Sequence, residues 1–314
     1  HRKLTVPEAW SGRRVLLHFG AVDYEAEAFV DGTPAGLHFG GSSPFDLDVT
    51  RLVKAGGEHD LVLRVRDTQL PEGSQPVGKQ SDRAGSYGCR YTRTTGIWQT
   101  VWMEAAGLGG RPALGDVQIL TDLDGGRVTF VPGLLAEERG CRLRVEVLAA
   151  GESAGSAGGA AGSGVPLTVN LSPARAWSPE DPFLYDVRYE LRGPDDELLD
   201  EVGSYFGLRQ VHVEGDRFFL NNRPLYQRLV LDQGFYPDGI WTAPDDAALR
   251  RDIELSMAAG FNGARLHQKV FEERFHYWAD RLGYLTWGES SSWGADVNDP
   301  LAARNFLSEW REIV

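Results

Sequence analysis

The pattern of apolar residues changes once along the chain, near Arg209, and this change limits the folds that the chain can adopt. Before that point, short segments alternate apolar and polar residues with the period of two that is typical of β-strands. After it, short apolar segments are interleaved with longer segments of helical periodicity, which indicates βα units and a parallel sheet. We therefore predict a multidomain protein of the β plus α/β class.

The first region, residues 1–108, is predicted to form an all-β domain. Segments rich in β-favouring residues occur at 15–19, 26–30 and 60–65. Turn-forming residues bound these segments at 31–34, 40–44 and 55–57. Repeated short strands at this spacing predict a β-sandwich or a jelly roll.

The second region, residues 109–208, repeats the all-β style with strands of its own. The period of two occurs at 117–120, 127–130, 142–147 and 184–191. An immunoglobulin-like β-sandwich is predicted, because roughly a hundred residues pass without a helical pattern. Segment 151–164 is almost entirely Gly, Ala and Ser, so we predict a mobile loop between two strands there, with an interdomain hinge as the weaker alternative.

The third region, residues 209–314, has the pattern of three βα units. Strands are predicted at 224–231, 263–267 and 284–289, and helices from Pro244, at about 272–282 and at 301–314. The apolar face of the first helix is assigned to Leu249, Ile253, Leu255 and Met257. A closed (β/α)8 barrel needs eight such units, so three units predict the first part of an incomplete TIM barrel.

Composition excludes several classes of function. The formal net charge of −13 argues against nucleic acid and anionic membranes as partners, because phosphates attract Lys and Arg. No apolar run approaches the ~20 residues that span a bilayer. Cys89 and Cys141 are too few for a zinc site, and two buried thiols are favoured over one disulfide. No metal, phosphate or dinucleotide motif occurs, so no cofactor and no metal are predicted.

Several segments, taken in their order along the chain, resemble glycoside hydrolase family 2. They are 20–26 (GAVDYEA) followed by 30–32 and 40–45, then 96–102 (GIWQTVW), 177–185 (WSPEDPFLY), 206–209 (FGLR) and 219–224 (FLNNRP). In that family a sugar-binding jelly roll, an immunoglobulin-like domain and a catalytic TIM barrel follow one another. The resemblance therefore implies domains 1–108, 109–208 and 209–314, the last one incomplete.

The resemblance also implies a retaining glycosidase with two catalytic glutamates on later barrel strands. We expect both glutamates beyond Val314, so no catalytic residue is assigned in this chain and the chain alone is predicted to be inactive. Residues 262–267 (NGARLH) and 280–289 (DRLGYLTWGE) resemble family segments but depart from them, with His267 one position early and Gly288 in place of Asp. The sugar and the linkage therefore cannot be copied from well-known members.

Candidate substrate-binding residues follow from the strand ends, which line the active site of a barrel. The resemblance sets Arg265 beside the nucleophile, against a salt bridge as the alternative role. Asp232, His267 and Glu289 fall near the ends of the three strands. Asp232 and Glu289 are expected to bind substrate hydroxyls or support the missing glutamates, in preference to being the carboxylate pair themselves.

Aromatic and loop residues supply further candidates. Trp287 could stack on a sugar, against core packing as the alternative role, and Trp241, Trp293 and Tyr236 follow strands in loops. Arg93, with Arg90 and Tyr91, precedes the turn at Gly96, in a loop that family members bring toward the active site. Gln268 and Lys269 are weaker candidates.

Two further functions compete with hydrolysis of a carbohydrate. The same β-domains could form a non-catalytic carbohydrate-binding protein or an interaction module. A homo-oligomer is expected from the resemblance alone. Residues 1–7 look like part of a strand rather than a natural start, so a targeting signal would lie ahead of them. The location is left open, with the cytoplasm favoured.

Overall fold

The computed structural model describes residues 1–68 and 73–314. This described part is mostly β, and its three α-helices all follow residue 245, so the prediction of a mainly β chain with late helices is confirmed. None of its helices is long and apolar enough to cross a membrane.

The described residues of the first region form nine strands and one short 3-10 helix at Glu8–Trp10. The strands are β1 (Arg2–Thr5), β2 (Arg13–Phe19), β3 (Val22–Asp23), β4 (Glu25–Val30), β5 (Thr33–Phe39), β6 (Phe45–Asp48), β7 (Glu58–Arg66), β8 (Gly96–Ile97) and β9 (Val101–Leu108). They form a β1-β7-β4-β5 sheet, a β6-β2-β9 sheet and the β3-β8 pair, all antiparallel.

The two larger sheets of this region pack face to face. Alternate residues of β4, at Ala26, Ala28 and Val30, are buried, as the period of two requires. Leu17 and Phe19 of β2, in the opposite sheet, join Ala26 and Val30 in one apolar cluster. The predicted segments 15–19, 26–30 and 60–65 thus all lie in strands, and their turn-forming neighbours separate them.

The second region contains seven strands in two antiparallel sheets. They are β10 (Leu114–Asp122), β11 (Arg127–Leu134), β12 (Arg142–Ala149), β13 (Glu152–Ala160), β14 (Leu167–Asn170), β15 (Tyr185–Arg192) and β16 (Leu198–Phe206). The sheets have the orders β10-β11-β14 and β13-β12-β15-β16. Phe130 of the first sheet and Tyr189 of the second meet edge to face in the shared core, with their ring centroids 5.6 Å apart.

The prediction of a mobile loop or a hinge at 151–164 is wrong. Most of that segment is β13, which pairs with β12 from Arg142↔Ala160 to Ala149↔Glu152. Backbone hydrogen bonds hold such a strand without large side chains. At Gly155 a larger residue is excluded by space, because a Cβ there would lie 2.5 Å from the carbonyl oxygen of Asn170 in β14.

The third region begins with a small antiparallel sheet and continues with βα units. The sheet consists of β17 (Val211–Glu214), β18 (Arg217–Leu220) and β19 (Arg223–Leu225). The units are β20 (Leu229–Asp232) with α1 (Asp246–Ala258), β21 (Gly263–Leu266) with α2 (Glu273–Leu282), and β22 (Leu285–Gly288) with α3 (Pro300–Ile313). The single strand predicted at 224–231 is therefore two strands with a break between them.

Strands β20, β21 and β22 form a parallel sheet, as predicted. One face of this sheet contributes Val230, Ala264 and Leu266 to a core with α1 and α2. The alternate residues Leu231 and Trp287 are each 48% exposed on the opposite face. The helices thus cover one face of the sheet only.

The helix ends follow the predicted signals, but one apolar face does not. The side chain of Asp245 caps α1 by accepting a 2.8 Å hydrogen bond from the amide of Ala248. Leu249 and Ile253, four residues apart, are buried, whereas Leu255 (55% exposed) and Met257 (36%) are not. The assignment of those two residues to the buried face is wrong. Leu255 lies two positions from Ile253 and therefore on the opposite side of the helix, whereas Met257 continues the stripe of Leu249 and Ile253 but lies in the last turn of α1, where it is partly exposed.

The two cysteines differ in exposure. Both thiols are free, and Cys141 is buried in the core of the second region, as predicted. Cys89 is exposed, so the prediction of two buried thiols is wrong for it. Its neighbours Gly88 and Arg90 belong to a polar loop that offers no apolar core.

Candidate functional site

Three of the predicted residues meet where β21 and β22 end. Because β20, β21 and β22 are parallel, their carboxyl ends lie at one edge of the sheet. His267 directly follows β21, and Glu289 directly follows β22. Arg265 is the penultimate residue of β21, two positions before His267. The amide of His267 donates to the carbonyl oxygen of Asp232 at 2.7 Å, which ties the first two strand ends together.

Arg265 and Glu289 form an ion pair. The Arg265 Nε donates to Glu289 Oε2 at 2.9 Å, and the amide of Gln268 donates to Glu289 Oε1 at 2.8 Å. Both carboxylate oxygens of Glu289 therefore accept a hydrogen bond, so its orientation is fixed. Arg265 keeps about half of its side-chain surface exposed and can still donate to a further acceptor from its terminal nitrogens.

His267 lies beside this ion pair with its ring mostly enclosed. Its Nε2 is 3.8 Å from Glu289 Oε1, and its ring meets the edge of Trp293 at a centroid distance of 5.9 Å. Burial lowers the pKa of His267, and the nearby positive charges of Lys79 and Arg265 lower it further against the effect of Glu289. A neutral imidazole follows, which offers one donor and one acceptor.

Asp232 lies apart from the Arg265–Glu289 pair. Its Oδ1 accepts the amide of Gly234 at 2.9 Å, and burial raises the pKa of its carboxyl group. The charged groups that act on it are Asp252, Lys269 and Glu272, which belong to the helix side of the sheet. The structure thus does not bring Asp232 and Glu289 together.

Trp287 and Arg93 are both exposed. Trp287 shares a row across the sheet with Arg265, and its ring meets Phe218 of β18 edge to face. Arg93 lies in the predicted loop of the first region but makes no ion pair or side-chain hydrogen bond with the described residues. The neighbouring Arg90 reaches the site instead, with its guanidinium 5.8 Å from the centroid of Trp293.

The first region builds one wall of the site through residues 75–81. The amides of Val77 and Gly78 donate to the carbonyl oxygens of Trp293 and Ser291 at 2.8 and 3.0 Å. Gln268 completes the wall, because its Oε1 accepts the amide of Trp293 at 2.9 Å. Gln268 itself has a positive φ of 56°. Two separate stretches of chain are thus fixed to each other beside Glu289.

Lys79 was not predicted as a site residue, although Arg90, Tyr91 and Arg93 of the same connection were candidates. Lys79 is only 8% exposed, and its Nζ lies 5.4 Å from the centroid of the Trp293 ring. Lys79 belongs to a long connection between β7 and β8, whose described residues 73–95 contain no helix and no named strand. Long connections of this kind inside compact domains are usually functional or disordered.

Lys269 and the aromatic residues after β20 fix the loop that follows β20. The ammonium group of Lys269 is buried and donates to the carbonyl oxygens of Gly234 and Trp241, both at 2.7 Å. Trp241 is itself buried and packs against Trp98 of the first region. Trp241 therefore offers no free face to a sugar, and Lys269 acts by holding the loop after β20 in place.

The described residues contain no group of three or more His, Cys, Asp or Glu side chains that could hold a metal ion.

Sequence similarity to known proteins extends over nearly the whole chain. Residues 115–209 match the model of the glycosyl hydrolases family 2. A β-glucuronidase of Paenibacillus borealis is 26% identical over 90% of this chain, and a β-galactosidase of Thermoanaerobacter pseudethanolicus is 24% identical over 92%. The resemblance to glycoside hydrolase family 2 is confirmed. The chain spans 48% and 38% of the lengths of these two relatives.

Solved structures of family 2 show the same fold. The β-glucuronidase from Ruminococcus gnavus in complex with D-glucuronic acid superposes with a TM-score of 0.81 at 20% identity, covering 99% of this chain and 53% of that one. The Lactobacillus rhamnosus β-glucuronidase gives a TM-score of 0.82 at 21% identity, with the same coverage of 99% and 53%. The chain therefore corresponds to about half of each of these structures.

Proposed function

We propose that this chain is the front part of a retaining β-glycosidase that cleaves O-glycosidic bonds. The observation that carries this proposal is the meeting of Arg265, His267 and Glu289 at the carboxyl ends of neighbouring parallel strands. In barrel enzymes that edge holds the active site. The relatives of this chain are named β-glucuronidase and β-galactosidase, and both names describe hydrolysis of a carbohydrate substrate.

The proposal includes three domains. Residues 1–108 form a jelly roll, 109–208 an immunoglobulin-like sandwich, and 209–314 the first three βα units of a TIM barrel. Two pairs of antiparallel sheets with shared cores support the first two assignments. A parallel sheet that is covered by helices on one face only supports the third, since the other face of a barrel strand points to the interior.

The catalytic glutamates are proposed to lie beyond Val314. A retaining mechanism needs two carboxyl groups ~5 Å apart. Glu289 is engaged by Arg265 and by the amide of Gln268, and Asp232 faces the helices, so these two carboxylates are not arranged as such a pair. Glu289 instead orients Arg265, whose free nitrogens would meet the nucleophile, while neutral His267 would bind a sugar hydroxyl.

The test compares hydrolysis of nitrophenyl β-glycosides by this chain and by the protein extended through the complete barrel. We expect turnover by the extended protein only, because the acid/base and the nucleophile lie in the added part. Turnover by the 314-residue chain would contradict this assignment and return Asp232 and Glu289 as catalytic candidates.

A variant of the extended protein tests the role of Arg265. Arg265→Met removes hydrogen bonds to charged groups, so we expect kcat/KM to fall by about tenfold to a hundredfold. Arg304→Met is the matched control, because Arg304 is exposed on α3 and makes no ion pair within the described residues. Equal kcat/KM values for the two variants would show that Arg265 has no part in the reaction.

A further inference from the structure

Two cations at the site have no carboxylate partner. Lys79 and Arg90 form no ion pair with the described residues, although the chain carries a net charge of −13. The other cations of the site are compensated, Arg265 by Glu289 and Lys269 by two carbonyl oxygens together with Glu272 at 3.8 Å. A cation that is buried without a counterion is costly, so Lys79, which is 8% exposed and has no carboxylate partner in the described part of the chain, points to an anionic ligand.

The loop that carries both cations is ordered by its own hydrogen bonds before any ligand binds. A parallel bridge joins Gln80 and Tyr91, the residues that follow Lys79 and Arg90. Within it the amide of Tyr91 donates to the carbonyl oxygen of Lys79 at 2.9 Å, and Arg90 donates to that of Gln80 at 3.2 Å. The backbone of Lys79 and the guanidinium of Arg90 are thus fixed in advance, which limits the entropy that a bound ligand would cost.

The Trp293 ring lies between these cations and the rest of the site. Its centroid is 5.4 Å from Lys79 Nζ, 5.8 Å from the Arg90 guanidinium and 5.9 Å from the His267 ring. Trp293 remains 38% exposed, so part of the indole is open to a ligand. An aromatic face packs on the C–H groups of a sugar, and flanking cations bind a carboxylate.

Two acidic side chains near this group have other partners. The hydroxyl of Tyr87 donates to the carboxylate of Asp82 at 2.7 Å and lowers its pKa, with a smaller contribution from the charge of Arg90. Glu289 is held by Arg265 and Gln268. Neither carboxylate forms an ion pair with Lys79 or Arg90, and both cations stay available to a ligand.

We propose that Lys79 and Arg90 flank Trp293 to bind an acidic group of the glycoside, so that this site prefers an anionic glycoside to a neutral one. The inference rests on the proposed function and assigns specificity to a loop of the first region. The acidic group has two chemical sources, the carboxylate of a uronic acid on the non-reducing side of the scissile bond and an acidic aglycone on its other side.

The test uses the protein extended through the complete barrel and substrates that differ by one carboxylate. Nitrophenyl β-glucuronide is compared with nitrophenyl β-glucoside, and a β-glucoside of a carboxyphenol gives the acidic aglycone. In Lys79→Met and Arg90→Met we expect KM for the preferred acidic substrate to rise by about tenfold to a hundredfold, with kcat changed by less than about threefold. The neutral glucoside should keep its KM.

Two further variants separate charge from folding. Lys79→Arg keeps the positive charge and should recover most of the KM lost in Lys79→Met. Lys54→Met removes an exposed lysine from the first region and should leave KM unchanged for all three substrates. Higher salt should raise KM for the acidic substrate alone, because salt screens the attraction.

Several outcomes would overturn the inference. One is equal kcat/KM of the unaltered protein for the glucuronide, the neutral glucoside and the acidic aglycone. Another is an equal loss of activity toward all substrates in Lys79→Met, which would mean that Lys79 pairs with a carboxylate of the added part of the barrel. If no glycoside is hydrolysed, the proposed function fails, and calorimetric titration with D-glucuronate and D-glucose then tests the inference. Binding of glucuronate but not of glucose, abolished in Lys79→Met, would support the inference. Absence of glucuronate binding would refute it.

Discussion

At Gly78 the backbone adopts a φ of 59° and passes close to the loop that follows β21. A Cβ atom at this position would lie 2.3 Å from the carbonyl oxygen of Gln268. The same residue donates its amide to the loop after β22. Both the left-handed conformation and the close approach therefore require glycine where the first region meets the candidate site.

Gly78→Ala should destabilise the protein more than Gly88→Ala. Gly88 has nearly the same φ, 54°, but a Cβ there would meet nothing within 4 Å, so it measures the backbone strain alone. We expect Gly88→Ala to cost about 1 kcal/mol and Gly78→Ala about 1–3 kcal/mol more. Urea unfolding followed by circular dichroism gives both free energies. Equal losses would mean that the contact between Gly78 and Gln268 is not formed.

Single residues also show where sequence reasoning reaches its limit. Arg265, His267 and Glu289 were predictable, since strand ends of a parallel sheet converge and each of these residues follows or ends such a strand. Lys79 was not, because its place beside Trp293 depends on the packing of two regions that are separated by more than 200 positions. Local patterns carry no information about such a contact.

Strand β13 illustrates the same limit for a secondary-structure element. Its sequence of Gly, Ala and Ser has the composition of a flexible linker, and composition alone predicts no ordered strand there. The order comes from β12, which pairs with it along its length, and from β14, whose backbone leaves no room for a larger side chain at Gly155. By contrast β15 was predictable, because Tyr185, Val187, Tyr189 and Leu191 alternate and are all buried.

Two valine substitutions distinguish a packed strand from a loop at β13. A Cβ on Gly155 would lie 2.5 Å from the carbonyl oxygen of Asn170, whereas the nearest atom to one on Gly158 is 3.6 Å away. We expect Gly155→Val to cost about 1–3 kcal/mol and Gly158→Val to change stability by less than about 1 kcal/mol. Thermal unfolding measures the difference. If both variants unfold like the parent, the segment is a loop after all.

Helix α3 contacts the first region through a buried carboxyl group. Glu309 is 4% exposed, and its Oε1 accepts the amide of Ser42 at 2.7 Å, while its Oε2 has no hydrogen-bond partner among the described residues. On the next turn, Glu312 accepts the hydroxyl of Ser43 at 2.7 Å and lies 3.1 Å from His38 Nε2. Burial raises the pKa of Glu309 from its usual 4.5 to about 7.

This carboxyl group should make the protein less stable as the pH rises from 4.5 to above 7. Below pH 4.5 it is protonated in both the folded and the unfolded chain, so it does not oppose folding. Between these values the unfolded chain releases the proton and the folded chain keeps it. The contribution of Glu309 to the free energy of unfolding therefore falls, by an amount on the order of 2–3 kcal/mol.

Glu309→Gln should remove this pH dependence, because glutamine stays neutral. We expect the variant to exceed the parent in stability at pH 8 and to match it at pH 5, as measured by urea unfolding at both pH values. Because His38 and Glu312 are present in both proteins, the difference between the two isolates Glu309. Glu273→Gln, at an exposed position on α2, should follow the parent at each pH. A constant offset between Glu309→Gln and the parent would rule out titration of Glu309 in this range.

On the scale of the whole molecule, the parallel sheet has one covered and one open face. Leu231, Arg265 and Trp287 share a row across β20, β21 and β22 and point away from α1 and α2. Native domains avoid large open apolar faces, and a closed barrel would turn this row to its interior. A change in the exposure of Leu231 or Trp287 in the extended protein would therefore show whether the added residues close a barrel around this sheet.

Thiol labelling compares that face in this chain and in the extended protein. In a Cys89→Ser background, Leu231→Cys should react with a maleimide in the 314-residue chain and become protected in the extended protein, because the added strands close over it. Leu120→Cys is the matched control, since Leu120 is also 48% exposed but lies on β10 in the second region. It should react at the same rate in both proteins. If Leu231→Cys reacts equally in both, the added residues do not close a barrel over this sheet, and the proposed site at its edge would then have to function without the later strands.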